Sequence, residues 1–380
     1  METHDLSRRD FARVLGTGLG ATLLHSSGLG AGRADALALP KGLEAPVLLN
    51  YNENPYGPSP QALAAMTRAE GTAARYPDAT ADALVETIAR SHGLASKNVA
   101  LGCGSGEILR AADAAFTGKG RRLVTAEPSF EAVLVTAKVT GAESVKVPLT
   151  ADSRHDLPRM AAACDGAGLV YVCNPNNPTG TIVSKDELER FLAAVPASTM
   201  VLVDEAYHHF VEDPGYASVI PWIPRFPNLI VARTFSKVYG LAGMRLGYAV
   251  GVPERVDALG DYLTFSNANA AVIAAAMASL ADTQYSQTVR DRINGTRRWL
   301  SAEFEKDGRR YLPSHANFIM VDVGRDATPV IEAFKSRGIL VGRKFPSMEQ
   351  WLRVTIGTRE ETEAFLAALR EIVPARTAAA

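Results

Sequence analysis

Lys237 lies in the string TFSKVYGLAGMRLGY, Thr234 to Tyr248, among hydroxyls and small residues, with glycines and Arg245 behind it. An ammonium gains little from such a place unless its neutral form is wanted, and a neutral lysine amine is the nucleophile of Schiff-base chemistry. VLVDEAYHHF ends an apolar run with Asp204, a carboxylate costly to bury unless it meets a cation, and adds Tyr207 three residues later. NPNNPTG, Asn174 to Gly180, breaks the chain at two Asn-Pro steps and offers three asparagine amides able to donate to a ligand oxygen. GCGSGE, Gly102 to Glu107, has the make-up of an anion-binding helix start, with N–H groups free at Gly104, Ser105 and Gly106. A plain helix N-cap by Ser105 accounts for it equally well. In EPSF, Pro128 turns the chain, and Phe130 is either a ring for a flat ligand or a core phenylalanine. Thr234, Ser236 and Arg245 bring hydroxyls and a guanidinium suited to phosphate.

These strings need rigid elements to bring them together. NLIVAR before Lys237 and RLGYAVGV after it read as strands, which places the lysine in a tight link between them. Arg122 to Ala126, Leu169 to Cys173, Met200 to Val203 and Leu229 to Ala232 are apolar runs without alternation. Pro60 to Ala69, Ala81 to His92, Gly106 to Phe116 and Phe130 to Thr140 have helical patterns. The alternation predicts an α/β fold: a mostly parallel sheet sandwiched by helices in a large domain at 71–264. From 265 to 380 an alanine-rich helix, a charged helix from Gln284 to Asp307, then ANFIMVDV, GILVGRKF and WLRVTIGT predict a smaller α+β domain. The segment 39–70 is too short to fold alone and is expected to pack with that smaller domain.

With 380 residues the chain has room for two domains. Its 40 Lys+Arg balance 41 Asp+Glu, with no basic block beyond the N-terminus, which argues against nucleic acid as a partner. Cys103, Cys164 and Cys173 are too few for a disulfide framework. At the N-terminus SRRDFAR, VLGTGLGATLL and GAGRADALALP follow the layout of an export signal, cleaved after Ala36 or Ala38. Its apolar run is too short for a permanent membrane anchor; a frayed helix with two incidental arginines is the alternative reading.

Pyridoxal 5'-phosphate asks for all the chemical pieces at once: a lysine, a carboxylate at the ring nitrogen, donors at the phenolic oxygen, a stacking ring and a phosphate cup. In this order, NENPYGPSP, RYPD, GCGSGE, NPNNPTG, VDEAY, FSKVYGLAGMRLGY and WLRVTIGTREE resemble the fold type I aminotransferases, in particular their histidinol-phosphate aminotransferase-like branch. The likeness runs from about Leu48 to Val373. It implies Lys237 as Schiff-base lysine and proton carrier, Asp204 at the ring nitrogen, Asn177 and Tyr207 at the phenolic oxygen, and Phe130 on the ring. It implies a phosphate site made by Gly104, Ser105, Gly106, Thr234, Ser236 and Arg245, with Tyr76 of RYPD reaching the cofactor of a second subunit in a homodimer. The substrate falls to Arg353, Asn54 and Asn177, and no metal is expected. The implied reaction is a ping-pong exchange of an amino group between an amino acid and a 2-oxo acid. A lyase, racemase or oxidase on the same fold, or a binding protein that keeps the pocket, are the competing readings.

Two departures bear on the substrate. Where the branch often has VRP, this chain has VGRKFP, with its arginine at Arg343. Where many members have PYNVN it has FSNANA, with Phe265 or Ser266 in place of a tyrosine. Both weigh against histidinol phosphate. The SRRDF string resembles a twin-arginine signal, with Ala12 in place of a bulkier residue, which implies the twin-arginine export machinery as a partner and a periplasmic or secreted enzyme.

Overall fold

In the computed structural model, which describes residues 45–374, the apolar runs form the middle of a seven-stranded sheet. After β1 (Val47–Leu49), the strands of this sheet are β2 (Val99–Gly102), β3 (Arg122–Glu127), β4 (Ser144–Pro148), β5 (Ala167–Cys173), β6 (Met200–Asp204), β7 (Leu229–Thr234) and β8 (Gly247–Gly251). They lie in the order β2-β8-β7-β6-β5-β3-β4, and every pairing from β4 to β7 is parallel. Only β8 runs antiparallel to its neighbours, β2 and β7, because the short link carrying Lys237 turns the chain straight back. All residues of β5 through β8 are buried.

Strand periodicity divides these residues between two cores. Val170, Val172, Val201, Val203 and Val231 face one side, packed with helices Asp78–Ser91 and Lys185–Ala194. Leu169, Tyr171, Leu202 and Ile230 face the other, under helices Ser105–Phe116 and Ala132–Thr140. The carboxyl ends of the parallel strands therefore open at one edge between two helical layers, where ligands bind in open α/β sheets.

A third core surrounds β9 (Tyr311–Leu312), β10 (Phe318–Asp322), β11 (Ile339–Val341) and β12 (Trp351–Thr355), with β12-β10-β9 antiparallel and β1 parallel to β11. Helices Thr283–Lys306, Ala327–Lys335 and Arg359–Ile372 cover it. The last is held at its start by reciprocal bonds between Thr358 and Glu361, a capping box worth about 1 kcal/mol.

The change of core does not follow the boundaries expected at 70 and 264. Helix Pro60–Ala69 packs on helix Ala270–Ala281, and both contribute to the core of the large sheet. From the early segment, β1 with Asn50, Asn52 and Tyr56 joins the smaller unit. The cause is composition: Ala270–Ala281 is apolar on most faces, so its pattern does not say which neighbour covers it. The export signal expected at residues 1–38 lies outside the described residues.

Candidate active site

The turn NPNNPTG follows β5, and its three asparagines have different tasks. Asn174 closes the loop on itself, donating to the Val183 carbonyl at 3.2 Å and accepting from the Val183 amide at 3.1 Å. Asn176 accepts from Ser129 at 2.8 Å and donates to the Pro128 carbonyl at 3.1 Å, which docks the EPSF turn alongside. Asn177 alone reaches toward other site residues: its amide nitrogen donates to the Tyr207 hydroxyl at 3.4 Å and its oxygen accepts from Arg353 at 2.6 Å.

At the end of β6, Asp204 is buried, with one carboxylate oxygen accepting from the Tyr171 hydroxyl at 2.9 Å and the other from the Ala206 amide at 3.0 Å. Burial pushes its carboxyl up to about 6; the two donors, with Lys237 nearby, pull the other way. Lys237 stands beyond the end of β7, half-buried, donating to the carbonyls of Asn52 at 2.9 Å and Tyr51 at 3.2 Å. Desolvation lowers its amine to about 8, helped by the Arg353 and Arg245 cations and opposed by Glu53 and Asp204. Its nitrogen lies 5.5 Å from the centre of the Tyr207 ring.

The glycine string and Arg245 meet at the start of helix Ser105–Phe116. Gly104 occupies the cap position of helix Ser105–Phe116 with φ +73°, so Gly104 and not Ser105 is the N-cap. A Cβ at Gly104 would sit 2.1 Å from the Arg245 guanidinium, and one at Gly247 would sit 2.3 Å from the Ser105 amide. Only glycines let these groups draw together. Thr234 donates to Ser236 at 2.9 Å, and Arg245 donates to Ser236 at 3.4 Å and to the Ala242 carbonyl at 2.8 Å. Glu107 braces the loop: although burial works against its ionised form, donors from Cys103, Thr264 and Asn267 hold its carboxyl below the usual range.

Arg353, on β12, is buried rather than solvated on its strand, and its acceptors are neutral: the Asn177 amide oxygen and, at 2.9 Å, the Asn50 carbonyl. Its Nε has no partner. A buried guanidinium bonded to neutral oxygens has an outstanding demand for an anion. Arg343 is turned toward Glu131 at 2.6 Å and lies over the Phe345 ring. Phe130 is exposed rather than a core residue, and Tyr76 and Phe265 are 80% and 87% exposed.

Asn54, expected at the substrate, is held within the chain by its own turn and by the loop after β7. Its amide donates to the Val238 and Gly57 carbonyls at 3.0 and 3.2 Å and its oxygen accepts from the Tyr56 amide at 2.9 Å, which anchors this turn to the loop carrying Lys237. The residue that reaches the centre from the same string is Asn52. It is buried with φ +55°, and its amide nitrogen donates to the Tyr207 hydroxyl at 3.1 Å. Its carbonyl accepts from both Lys237 and Asn317 at 2.9 Å. Tolerance of asparagine for left-handed backbone is the one signal that marked it.

The residues present fit pyridoxal 5'-phosphate. Gly104 and Gly247 leave a helix start open beside a guanidinium and two hydroxyls, a donor set for a dianion. A buried carboxylate and a lysine of lowered proton affinity complete the arrangement.

A family model described as aminotransferase class I and II matches residues 44–369. The histidinol-phosphate aminotransferase of Symbiobacterium thermophilum is 42% identical, over 87% of this chain and 91% of its own. That of Moorella thermoacetica is 40% identical, over 87% and 86%. Among solved structures, the histidinol-phosphate aminotransferase from Sinorhizobium meliloti in complex with pyridoxal-5'-phosphate superposes with a TM-score of 0.82 at 29% identity, covering 94% of this chain and 98% of the other.

Proposed function

This chain belongs to the class I and II aminotransferases and is an enzyme of pyridoxal 5'-phosphate, and on that premise we propose how its residues share the transfer of an amino group between an amino acid and a 2-oxo acid. When bound, the cofactor supplies an aldehyde for the substrate amine and a ring that takes up the electron pair released as the substrate's Cα–H bond breaks. Lys237 carries the cofactor until the substrate amine takes its place, and its freed Nζ is then the base that removes the Cα proton and hands it on. An amine lowered to about 8 keeps a working fraction neutral near neutral pH. Asp204, ionised above about pH 6, is the counter-charge at the ring nitrogen. Asn177 and Tyr207 donate to the phenolic oxygen and Phe130 covers one face of the ring. Gly104, Ser105, Gly106, Thr234, Ser236 and Arg245 hold the phosphate.

The observation that carries the substrate reading is Arg353: a buried cation, bonded to neutral oxygens, within electrostatic reach of Lys237. It suits an α-carboxylate bound bidentately. A panel of amino acids mixed with the yellow holoenzyme tests this: some should discharge the visible band and yield one equivalent of 2-oxo acid, and a 2-oxo acid should restore it. Loss of carbon dioxide, racemised substrate, or keto acid formed with peroxide and free ammonia instead of transfer to the cofactor would contradict the reading. Histidinol phosphate belongs in the panel, because relatives near 40% identity bear that name. Its phosphate would take the place of the carboxylate at Arg353.

We propose a homodimer in which Tyr76 reaches the cofactor phosphate of the second subunit; its exposure on the single chain supports this. A mixed dimer of Lys237→Ala with Tyr76→Phe is expected to hold one site of normal cofactor affinity per dimer. If mixing restores none, the tyrosine does not cross. We also propose that SRRDFAR directs export by the twin-arginine route after cofactor loading, since binding stabilises the folded state that this route carries. Replacing Arg8 and Arg9 by lysine should leave full-length, cofactor-bearing protein inside the cell; unchanged export and processing would contradict the proposal.

A further inference from the structure

Tyr171 is fully buried in the middle of the sheet, on β5, one strand away from Asp204. Its position among Val170, Val172 and Cys173 gives it the surroundings of a core residue, yet its hydroxyl donates to an Asp204 carboxylate oxygen at 2.9 Å. Burial, with the Asp204 charge beside it, keeps the phenol neutral, so it acts as a donor and never as a counter-anion. The titratable groups facing Asp204 are few. Tyr171 and Cys173 come from β5, Glu205, Tyr207 and Tyr216 from the chain after β6, and Lys237 from the loop after β7. Glu205 is itself neutralised by Arg233, at 3.0 Å from Nε and 2.7 Å from Nη2. Of these, Tyr171 is the side chain that hydrogen-bonds the carboxylate directly; the other bond comes from the Ala206 backbone and survives any side-chain change.

We propose that Tyr171 is a positioning residue that fixes the orientation of the Asp204 carboxylate and sets the pH at which it loses its proton. This rests on the assignment of Asp204 to the ring nitrogen. The physical ground is that a neutral O–H donor stabilises the ionised carboxylate and does little for the protonated one. Burial drives the carboxyl up; Tyr171 limits the rise, so that the charge is present at neutral pH. Without that donor the carboxyl titrates later, and the site stays uncharged over part of the neutral range.

The test is the dissociation constant for pyridoxal 5'-phosphate of the full-length protein, measured by equilibrium dialysis between pH 5 and pH 9. The wild type should lose affinity on the acid side of a break near pH 6. In Tyr171→Phe the break should move up by about one pH unit or more, making affinity at pH 6.5 severalfold weaker relative to its own alkaline plateau. Replacing Tyr171 by 3-fluorotyrosine, whose more acidic phenol is a stronger donor, should move the break down. In Asp204→Asn the pH dependence that remains, from the cofactor's own phosphate, which titrates near pH 6, should be the same with either residue at position 171. If both changes at 171 lower affinity uniformly across the pH range, Tyr171 is only a packing residue and the proposal fails. A shift of the break on Tyr171→Phe that persists in the Asp204→Asn background would instead overturn the assignment of Asp204.

Discussion

Lys237→Ala is expected to lower kcat/KM on the order of 10^4-fold or more, because one side chain is removed from two tasks, carrying the cofactor and moving the proton. The loss should not come from collapse of the pocket. The bonds that shape it, from Asn177 to Tyr207 and Arg353 and from Arg245 to Ser236, do not involve the lysine. Cofactor should therefore still bind, though no longer covalently. Small primary amines added to the variant should restore part of the rate, with smaller and more basic amines restoring more. A variant within tenfold of wild type would show that another group is the base.

Asp204→Ala should reduce exchange of the substrate's α-hydrogen with solvent deuterium on the order of 10^3-fold, as expected when a preorganised charge at the reacting system is lost. Asp204→Glu should lose less, since it keeps the charge while displacing it. Folding should suffer modestly: the alanine leaves the Tyr171 hydroxyl without its acceptor in a fully buried place, about 1–3 kcal/mol. Exchange in the alanine variant close to the wild-type rate would remove Asp204 from its assigned role.

The strands that present these groups were legible because they are apolar without alternation. Met200 to Val203 and Leu229 to Ala232 were each extended by two residues or fewer in the structure, ending at Asp204 and Thr234. The helix expected from Gln284 to Asp307 forms at Thr283–Lys306. The glycines of GCGSGE were legible as a close-approach loop, but a sequence does not say what approaches; that it is Arg245 follows from the fold. Less could be read where residue type and task are uncoupled. Five asparagines in two strings, Asn52, Asn54, Asn174, Asn176 and Asn177, differ in partners and not in kind. Tyr171 hides in an apolar strand, where a tyrosine reads as core until the neighbouring strand shows what its hydroxyl meets. Arg353 was singled out by the resemblance alone, since its strand gives no sign of its burial or of its neutral acceptors.

Borohydride reduction of the holoenzyme tests most directly whether Lys237 holds the cofactor. Reduction fixes the carbon–nitrogen bond between lysine and cofactor as a stable secondary amine. After digestion, the phosphopyridoxyl mass should appear once, on the peptide containing Lys237, at close to one label per chain. Label on a different lysine, or none from protein that is yellow and saturated with cofactor, would contradict the account.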